Sequence, residues 1–281
     1  MKQIIILLLT TGFLTSTVVA QNGKLKQTDN QIPFVLGFIE KIKSVELKEN
    51  RVLNIYLPEG YSPDSATTYP VIYLLDGSAN EDFIHITGIV QFLVMIGTMP
   101  KSIIVGIANV DRRRDFTFPT TIEQDKKSYP TTGRSAKFMA FIEKELQPFV
   151  QKKYKTNNSR TIIGQSLGGL FATEILLKKP GLFDNYIIVS PSLWWDNESL
   201  LALAPALLEK QDDKNHKIYI SVGSEGKQME DDAKHLAEIL QTAGKKNLQI
   251  DFVPLPKENH LAILHNSVYK GFEIFYPGKT N

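Results

Sequence analysis

Ser166 stands in Gly164-Gln165-Ser166-Leu167-Gly168, and the flanking residues give that spacing its meaning. Thr161-Ile162-Ile163 before it is β-branched, and Leu170-Phe171-Ala172 after it favours helix. Five such residues alone arise by chance in roughly one chain in ten of this length. Between a strand and a helix, however, Gly-x-Ser-x-Gly is the layout of a nucleophilic serine on a sharp turn. The turn forces the serine into a strained backbone, and Gly164 and Gly168 are expected to let the chain pass closely on either side. The chemistry of such a hydroxyl is attack on an acyl carbon. The backbone N–H of Leu167, opening the helix, is expected to hold the developing oxyanion.

A serine hydroxyl is a poor nucleophile at neutral pH, so a base must take its proton, nearly always a histidine held by a carboxylate. In a strand–turn–helix site of this kind the chain order is serine, acid, histidine. Of the five histidines, His85 precedes Ser166. His216 reads as a solvated turn residue, and His235 as an exposed mid-helix one. His260, in Lys257-Glu258-Asn259-His260-Leu261 between the last strand and the last helix, is the expected base. His265 falls inside that helix. The acid belongs after the strand Lys217 to Val222, and Glu225 lies nearest its end. Glu230, Asp231 and Asp232 are alternatives, although carboxylates are favoured at a helix start with or without chemistry. A Ser–His pair with no working acid is a further alternative. The second oxyanion donor is expected from the backbone N–H of Gly77 or Ser78, in the turn after Pro70 to Leu75. Asp76-Gly77 fits a plain turn equally well.

These groups need a scaffold, and 281 residues suffice for one α/β domain with a sizeable core. Hydrophobic residues make up 42% and charged residues 22%, ordinary values for a globular protein. With 32 basic against 30 acidic residues, the net charge of +2 implies no nucleic-acid groove and no polybasic membrane patch. The absence of cysteine excludes disulfides, thiolate catalysis and cysteine-ligated metal. No metal-ligand pattern is present, so no cofactor is expected.

The first residues read as an export signal. Met1-Lys2 is a positive start, Ile4 to Leu9 an apolar core, and Val18-Val19-Ala20 a small-residue cleavage site before Gln21. Thr10, Thr11 and Thr15-Ser16-Thr17 interrupt the apolar run, which leaves it short for a membrane span. Residues 1–20 are therefore expected to be a signal peptide and 21–281 a single domain, exported to the periplasm or secreted, with no membrane anchor after cleavage. Oligomeric state is left open.

Along the mature chain, apolar runs at Val52 to Leu57, Pro70 to Leu75, Ser102 to Ala108, Tyr186 to Val189, Lys217 to Val222 and Leu248 to Val253 read as strands. Phe34 to Leu47 alternates only raggedly. Helical spacing marks Phe83 to Met95, Ser135 to Val150, Met229 to Thr242 and Leu261 to Phe275, and helices are also expected over Leu167 to Lys179, after the Ser166 turn, and around Ser199 to Lys210. Asn109 to Thr132 is long, charged and irregular, as functional loops often are. Strands alternating with helices at this spacing predict an α/β fold, a mostly parallel sheet covered on both faces.

With these residues in hand, the chain resembles the putative-esterase family of α/β-hydrolases, and within it the enterochelin (ferric-siderophore) esterase-like branch. The likeness is carried by Arg51 to Pro58, Tyr73-Leu74-Leu75-Asp76-Gly77, Val105-Gly106-Ile107 and Arg112-Arg113-Arg114-Asp115-Phe116-Thr117. It continues in Gly164 to Gly169, Ser190-Pro191-Ser192-Leu193-Trp194-Trp195, Val222 to Glu225 and Glu258-Asn259-His260. The resemblance implies the α/β-hydrolase fold and a serine carboxylic-ester hydrolase acting on a small-molecule ester. Across the family the esters include siderophore trilactones, feruloyl and acetyl sugar esters, thioesters and simple acyl esters, and some siderophore esterases work without a clear acid. Arg112 and Arg114 are candidates to pair an anionic substrate such as a ferric catecholate, or else form a solvated loop with one arginine fixing Asp115. Trp194 and Trp195 are candidates to stack on a catechol or sugar ring, or else pack as core and lid. The rival functions are a carbohydrate esterase or an acyltransferase on the same residues, and a non-catalytic siderophore or glycan binder.

Overall fold

The computed structural model describes residues 32–277. The body of the molecule is the unit Leu36–Asn281, and the signal peptide expected over residues 1–20 lies outside the described residues. In chain order the elements begin β1 (Phe38–Ser44), β2 (Glu49–Tyr56), β3 (Tyr69–Leu74), α1 (Phe83–Met95), β4 (Ile103–Ile107), α2 (Arg112–Phe116) and α3 (Glu123–Ser128). Next come α4 (Ser135–Phe141) and α5 (Gln147–Lys153), joined by a π turn over Ile142–Leu146, then β5 (Thr156–Gln165) and α6 (Leu167–Lys178). The chain closes with β6 (Asn185–Val189), α7 (Trp195–Glu209), β7 (His216–Gly223), α8 (Lys227–Thr242), β8 (Leu248–Leu255) and α9 (Ile263–Phe275). Among the described residues no helix is long and apolar enough to cross a membrane.

The strands form one eight-stranded sheet in the order β1-β2-β4-β3-β5-β6-β7-β8. The β1–β2 and β2–β4 pairs are antiparallel and the others parallel. The α/β-hydrolase expectation of a mostly parallel sheet with helices on both faces therefore holds. Strands β3, β4 and β6 are buried at every residue, which is why they read as unbroken apolar runs rather than alternating ones. Two hydrophobic clusters result. One centres on Phe116, Phe138, Phe171 and Trp195, the other on α1 and α9. Because β4 lies on one side of β3 and β5 on the other, the strand order reverses there. In open α/β sheets the crevice beyond the strand ends at such a point is where ligands bind.

Two differences from the sequence reading have local causes. The ragged stretch is the edge strand β1, whose Phe38 and Ile39 stay exposed because only one neighbour covers it. Within the irregular stretch 109–132 the short helix α2 forms, with the Asp111 side chain accepting from Arg114 N–H as its cap. His216 also differs: it is the first residue of β7, 5% exposed and edge-on to Tyr186, not a solvated turn residue.

Below α2 lies a buried ion network. Arg51 of β2 pairs with Asp115, both 1% exposed, and with Glu49 at 2.6 Å. Its guanidinium stands 5.0 Å over the Phe138 ring. Removing one partner of a buried pair leaves an uncompensated charge. Asp115→Ala is therefore expected to lower the urea unfolding free energy by about 3 kcal/mol or more. Asp115→Asn, which keeps a hydrogen-bond acceptor, is expected to cost visibly less in the same titration.

Candidate active site

Strand β5 ends at Gln165 and α6 begins at Leu167, so Ser166 is the whole of the turn. Its backbone is left-handed, with φ 58° and ψ −121°, a conformation side chains other than glycine rarely adopt. The turn is held by Ser166 N–H to Val189 O at 3.0 Å and by Ser192 N–H to Ser166 O at 3.0 Å. Close passage explains Gly164, where an added Cβ would lie 2.3 Å from the Gly168 carbonyl oxygen. It does not explain Gly168, whose Cβ would meet its nearest neighbour, Asp76 Oδ2, at an ordinary 3.5 Å. The second tight glycine is Gly169, 2.9 Å from Pro191 Cα, because the turn after β6 crosses α6 there. Gly164→Ala is accordingly expected to give little folded protein, and Gly168→Ala to melt within a few degrees of wild type in a thermal scan.

His260 precedes α9, and its Nδ1 lies 2.5 Å from Glu225 Oε2 in the loop after β7. The Glu225 side chain is 3% exposed and that of His260 40% exposed. The other Glu225 oxygen, Oε1, accepts from Ser190 Oγ at 2.5 Å and from Gly223 N–H at 3.0 Å. Burial pushes the Glu225 carboxyl up, but the hydrogen bonds from His260, Ser190 and Gly223 outweigh it and hold the group below its usual value. The alternative acids have other partners. Glu230 caps the loop by accepting from the N–H groups of Glu225 and Gly226, and Asp231 pairs with Lys227. Asp232 is buried in α8, pushed up to about 6 by burial and by Glu198 and Asp231. Of these four carboxylates, Glu225 is the one that meets His260. The His260 carbonyl accepts from Gln165 Nε2, which ties the histidine loop to the end of β5 beside Ser166. His265 instead sits on α9 against His85.

Leu167 N–H opens α6, where the first amides have no acceptor within the helix. Gly77 does not supply the second amide, since its N–H donates to Ile107 O at 3.1 Å. It is a packing glycine, since an added Cβ would lie 2.4 Å from Gly106 Cα. Ser78 N–H is directed at Glu81 Oε2 over a long 3.3 Å.

Both candidate arginines are engaged by protein carboxylates. Arg112 forks onto Asp76 at 2.7 and 2.9 Å and reaches Gln165 O at 3.2 Å. It thereby fastens the turn that carries Ser78 to the strand end that carries Ser166. Arg114 binds Glu49 at 2.7 and 3.0 Å and Asp115 at 2.8 Å. Of the two readings of this loop, the one in which an arginine fixes Asp115 matches the contacts of Arg114, and Arg112 takes a positioning role on Asp76. Trp195 is also corrected: it is fully buried, with Nε1 donating to Phe118 O at 2.9 Å. Trp194 remains half-buried beside Tyr129.

Sequence reasoning missed Ser190 and Ser192. Ser190 holds Glu225, and Ser192 Oγ lies 3.2 Å from Ser166 Oγ. The available signal was two serines around a proline directly after a strand end.

Comparison with known proteins agrees with this fold. Residues 44–261 match the model of the family described as Putative esterase. The chain is 32% identical over 239 residues to the ferri-bacillibactin esterase BesA of Bacillus subtilis, covering 77% of this chain and 82% of that one. Among solved structures it is similar to an IroE-like serine hydrolase from Shewanella oneidensis, with a TM-score of 0.78, 33% identity, and 86% and 80% of the two chains covered. It is likewise similar to the BES protein from Bacillus cereus, with a TM-score of 0.76, 30% identity, and 88% and 97% covered. The chain belongs to this esterase family and is a carboxylic ester hydrolase.

Proposed function

We propose that the protein is an exported serine esterase that opens ferric-siderophore esters through an acyl-enzyme on Ser166. The observation that carries this reading is the His260–Glu225 pair, joined through Gln165 to the strained Ser166 turn. In the reaction Ser166 Oγ attacks the ester carbonyl and its proton passes to the free ring nitrogen of His260. Glu225 fixes the imidazole by its other nitrogen and stabilises the imidazolium. The carbonyl oxygen, now negative, is held by Leu167 N–H and by Ser78 N–H once substrate displaces the long contact to Glu81. The alcohol leaves with the proton from His260, and water, activated by the same histidine, releases the acid.

A bulky substrate suits the openness of the site. Leu261, next to His260, is 92% exposed, and an open hollow of about 520 Å³ lined by Ser224, Glu225, Met229, Asn259 and His260 adjoins it. The siderophore class rests on the similarity to the ferri-bacillibactin esterase, and export rests on the signal-peptide pattern expected over residues 1–20. The test is to supply purified protein with a ferric tricatecholate trilactone and, in parallel, a short-chain p-nitrophenyl ester. Turnover of the trilactone well above the simple ester, lost in Ser166→Ala, is the expected result. Turnover of the simple ester alone would keep the mechanism and discard the siderophore.

A further inference from the structure

The turn Ser190-Pro191-Ser192 touches both ends of the catalytic set, and neither serine has a part in the reaction as written above. Ser192 is 2% exposed, and its hydroxyl makes its hydrogen bond with Ser166 Oγ at 3.2 Å. Ser190 is fully buried, and its hydroxyl binds the Glu225 oxygen that His260 does not use.

We propose that Ser192 is a further catalytic residue, donating its O–H to Ser166 Oγ as the nucleophile loses its proton, and that Ser190, two residues earlier, is the positioning residue of the acid. The proposal rests on the reading of Ser166 as nucleophile. The direction of the first bond follows from proton accounting. Buried hydroxyls use their proton, and the partner on hand is Ser166 Oγ. The proton of Ser166 is needed by His260, so Ser192 must donate and Ser166 accept. When Oγ attacks, the Oγ–H bond breaks, the proton goes to His260 and the new C–O bond forms, while Ser192 keeps its own proton throughout. During that step Oγ carries developing negative charge, and a neutral hydrogen bond becomes a charge-assisted one. A contact that strengthens only in the transition state accelerates the reaction. Once the acyl-enzyme has formed, Oγ is an ester oxygen and a poor acceptor, so the gain is confined to making and breaking that bond.

The backbone makes this arrangement rigid. Ser190 has φ 42°, and its N–H donates to Ser221 O at 2.8 Å. Ser192 N–H is bonded to Ser166 O at 3.0 Å, so the two hydroxyls are set by a fixed pair of peptide units. Pro191 rests against Gly169 on α6, where an added Cβ would lie 2.9 Å away. At the other end, Ser190 and Gly223 N–H both bind Oε1 of Glu225 and leave Oε2 to His260. A carboxylate gripped in this way cannot rotate off the imidazole.

The test uses a fluorophosphonate probe, which phosphonylates an activated serine with loss of fluoride and needs no knowledge of the natural ester. Wild type is expected to be labelled at Ser166, located by peptide mass. Ser192→Ala is expected to slow labelling by roughly tenfold to a hundredfold, the loss of one hydrogen bond to a charged group. Ser192→Cys, a weaker donor, should fall between them. Ser190→Ala should lower kcat on an activated ester about tenfold with KM within twofold, and Ser190→Cys should recover part of the loss. Labelling of Ser192→Ala within twofold of wild type would overturn the proposal, as would Ser192→Cys labelling no faster than Ser192→Ala. If Ser192→Ala does not fold, Ser192→Gly takes its place in the same ranking. No labelling of folded wild type at Ser166 would instead sink the serine-esterase reading, and this proposal with it.

Discussion

Ser166→Ala is expected to lower kcat/KM on an activated ester by roughly 10⁴- to 10⁶-fold, with a thermal midpoint within a few degrees of wild type. The magnitude follows from what the hydroxyl does: without it no acyl-enzyme forms, and what remains is the effect of binding and of the oxyanion amides. The fold should survive because the turn is held by backbone bonds, Ser166 N–H to Val189 O and Ser192 N–H to Ser166 O, which alanine keeps. Alanine at φ 58° is strained much as serine is. His260→Ala should cost nearly as much, and the double variant little more than either single one, because the two act as a unit. Steady-state rates of the three proteins, measured on one ester, check this. Losses that multiply in the double variant would mean that the two residues work independently.

Glu225→Gln should lower kcat by roughly 10³- to 10⁴-fold, since the amide holds the imidazole in the wrong tautomer or not at all. The same exchange at the neighbouring carboxylates gives the contrast. Glu230→Gln loosens the cap over Glu225 and Gly226 and should cost about tenfold at most. Asp231→Asn and Asp232→Asn should leave kcat within about twofold, because neither carboxylate reaches His260. Equal losses at Glu225 and at one of the others would show that the acid is shared.

Glu225 also has a signature in stability. Its carboxyl is held below its usual 4.5, so the ionised form is favoured by folding. The resulting stabilisation is present above that value and is lost as pH falls through the lower folded one. Unfolding midpoints of wild type should therefore drop below about pH 4.5, and those of Glu225→Gln should fall less steeply over the same interval.

Much of the scaffold is legible in the chain itself. Strands β3, β4 and β6 are unbroken apolar runs because both faces of the sheet are covered, and α1 and α8 follow from helical spacing. The turn at Ser166 is legible for the same reason: strand, turn and helix are consecutive, and each is encoded by residues within a few positions of one another. Pairing across the fold is another matter. Glu225 and His260 are 35 residues apart, as are Ser190 and Glu225, and Arg112 stands 36 from Asp76. Chain order and loop position named His260 and Glu225 as candidates, but only the strand order β5-β6-β7-β8 brings their loops, and the serines after β6, to one end of the sheet. In the same way Arg112 and Arg114 resemble free cations until the turn after β3 presents Asp76 to the first and the antiparallel β2 presents Glu49 to the second, and Trp194 and Trp195 are alike in type until one of them reaches the Phe118 carbonyl. Local period and turn chemistry are properties of neighbouring residues, and the sequence states them directly. Which carboxylate, amide or ring a side chain meets depends on where distant strands are laid beside one another, and that was decided by the tertiary structure.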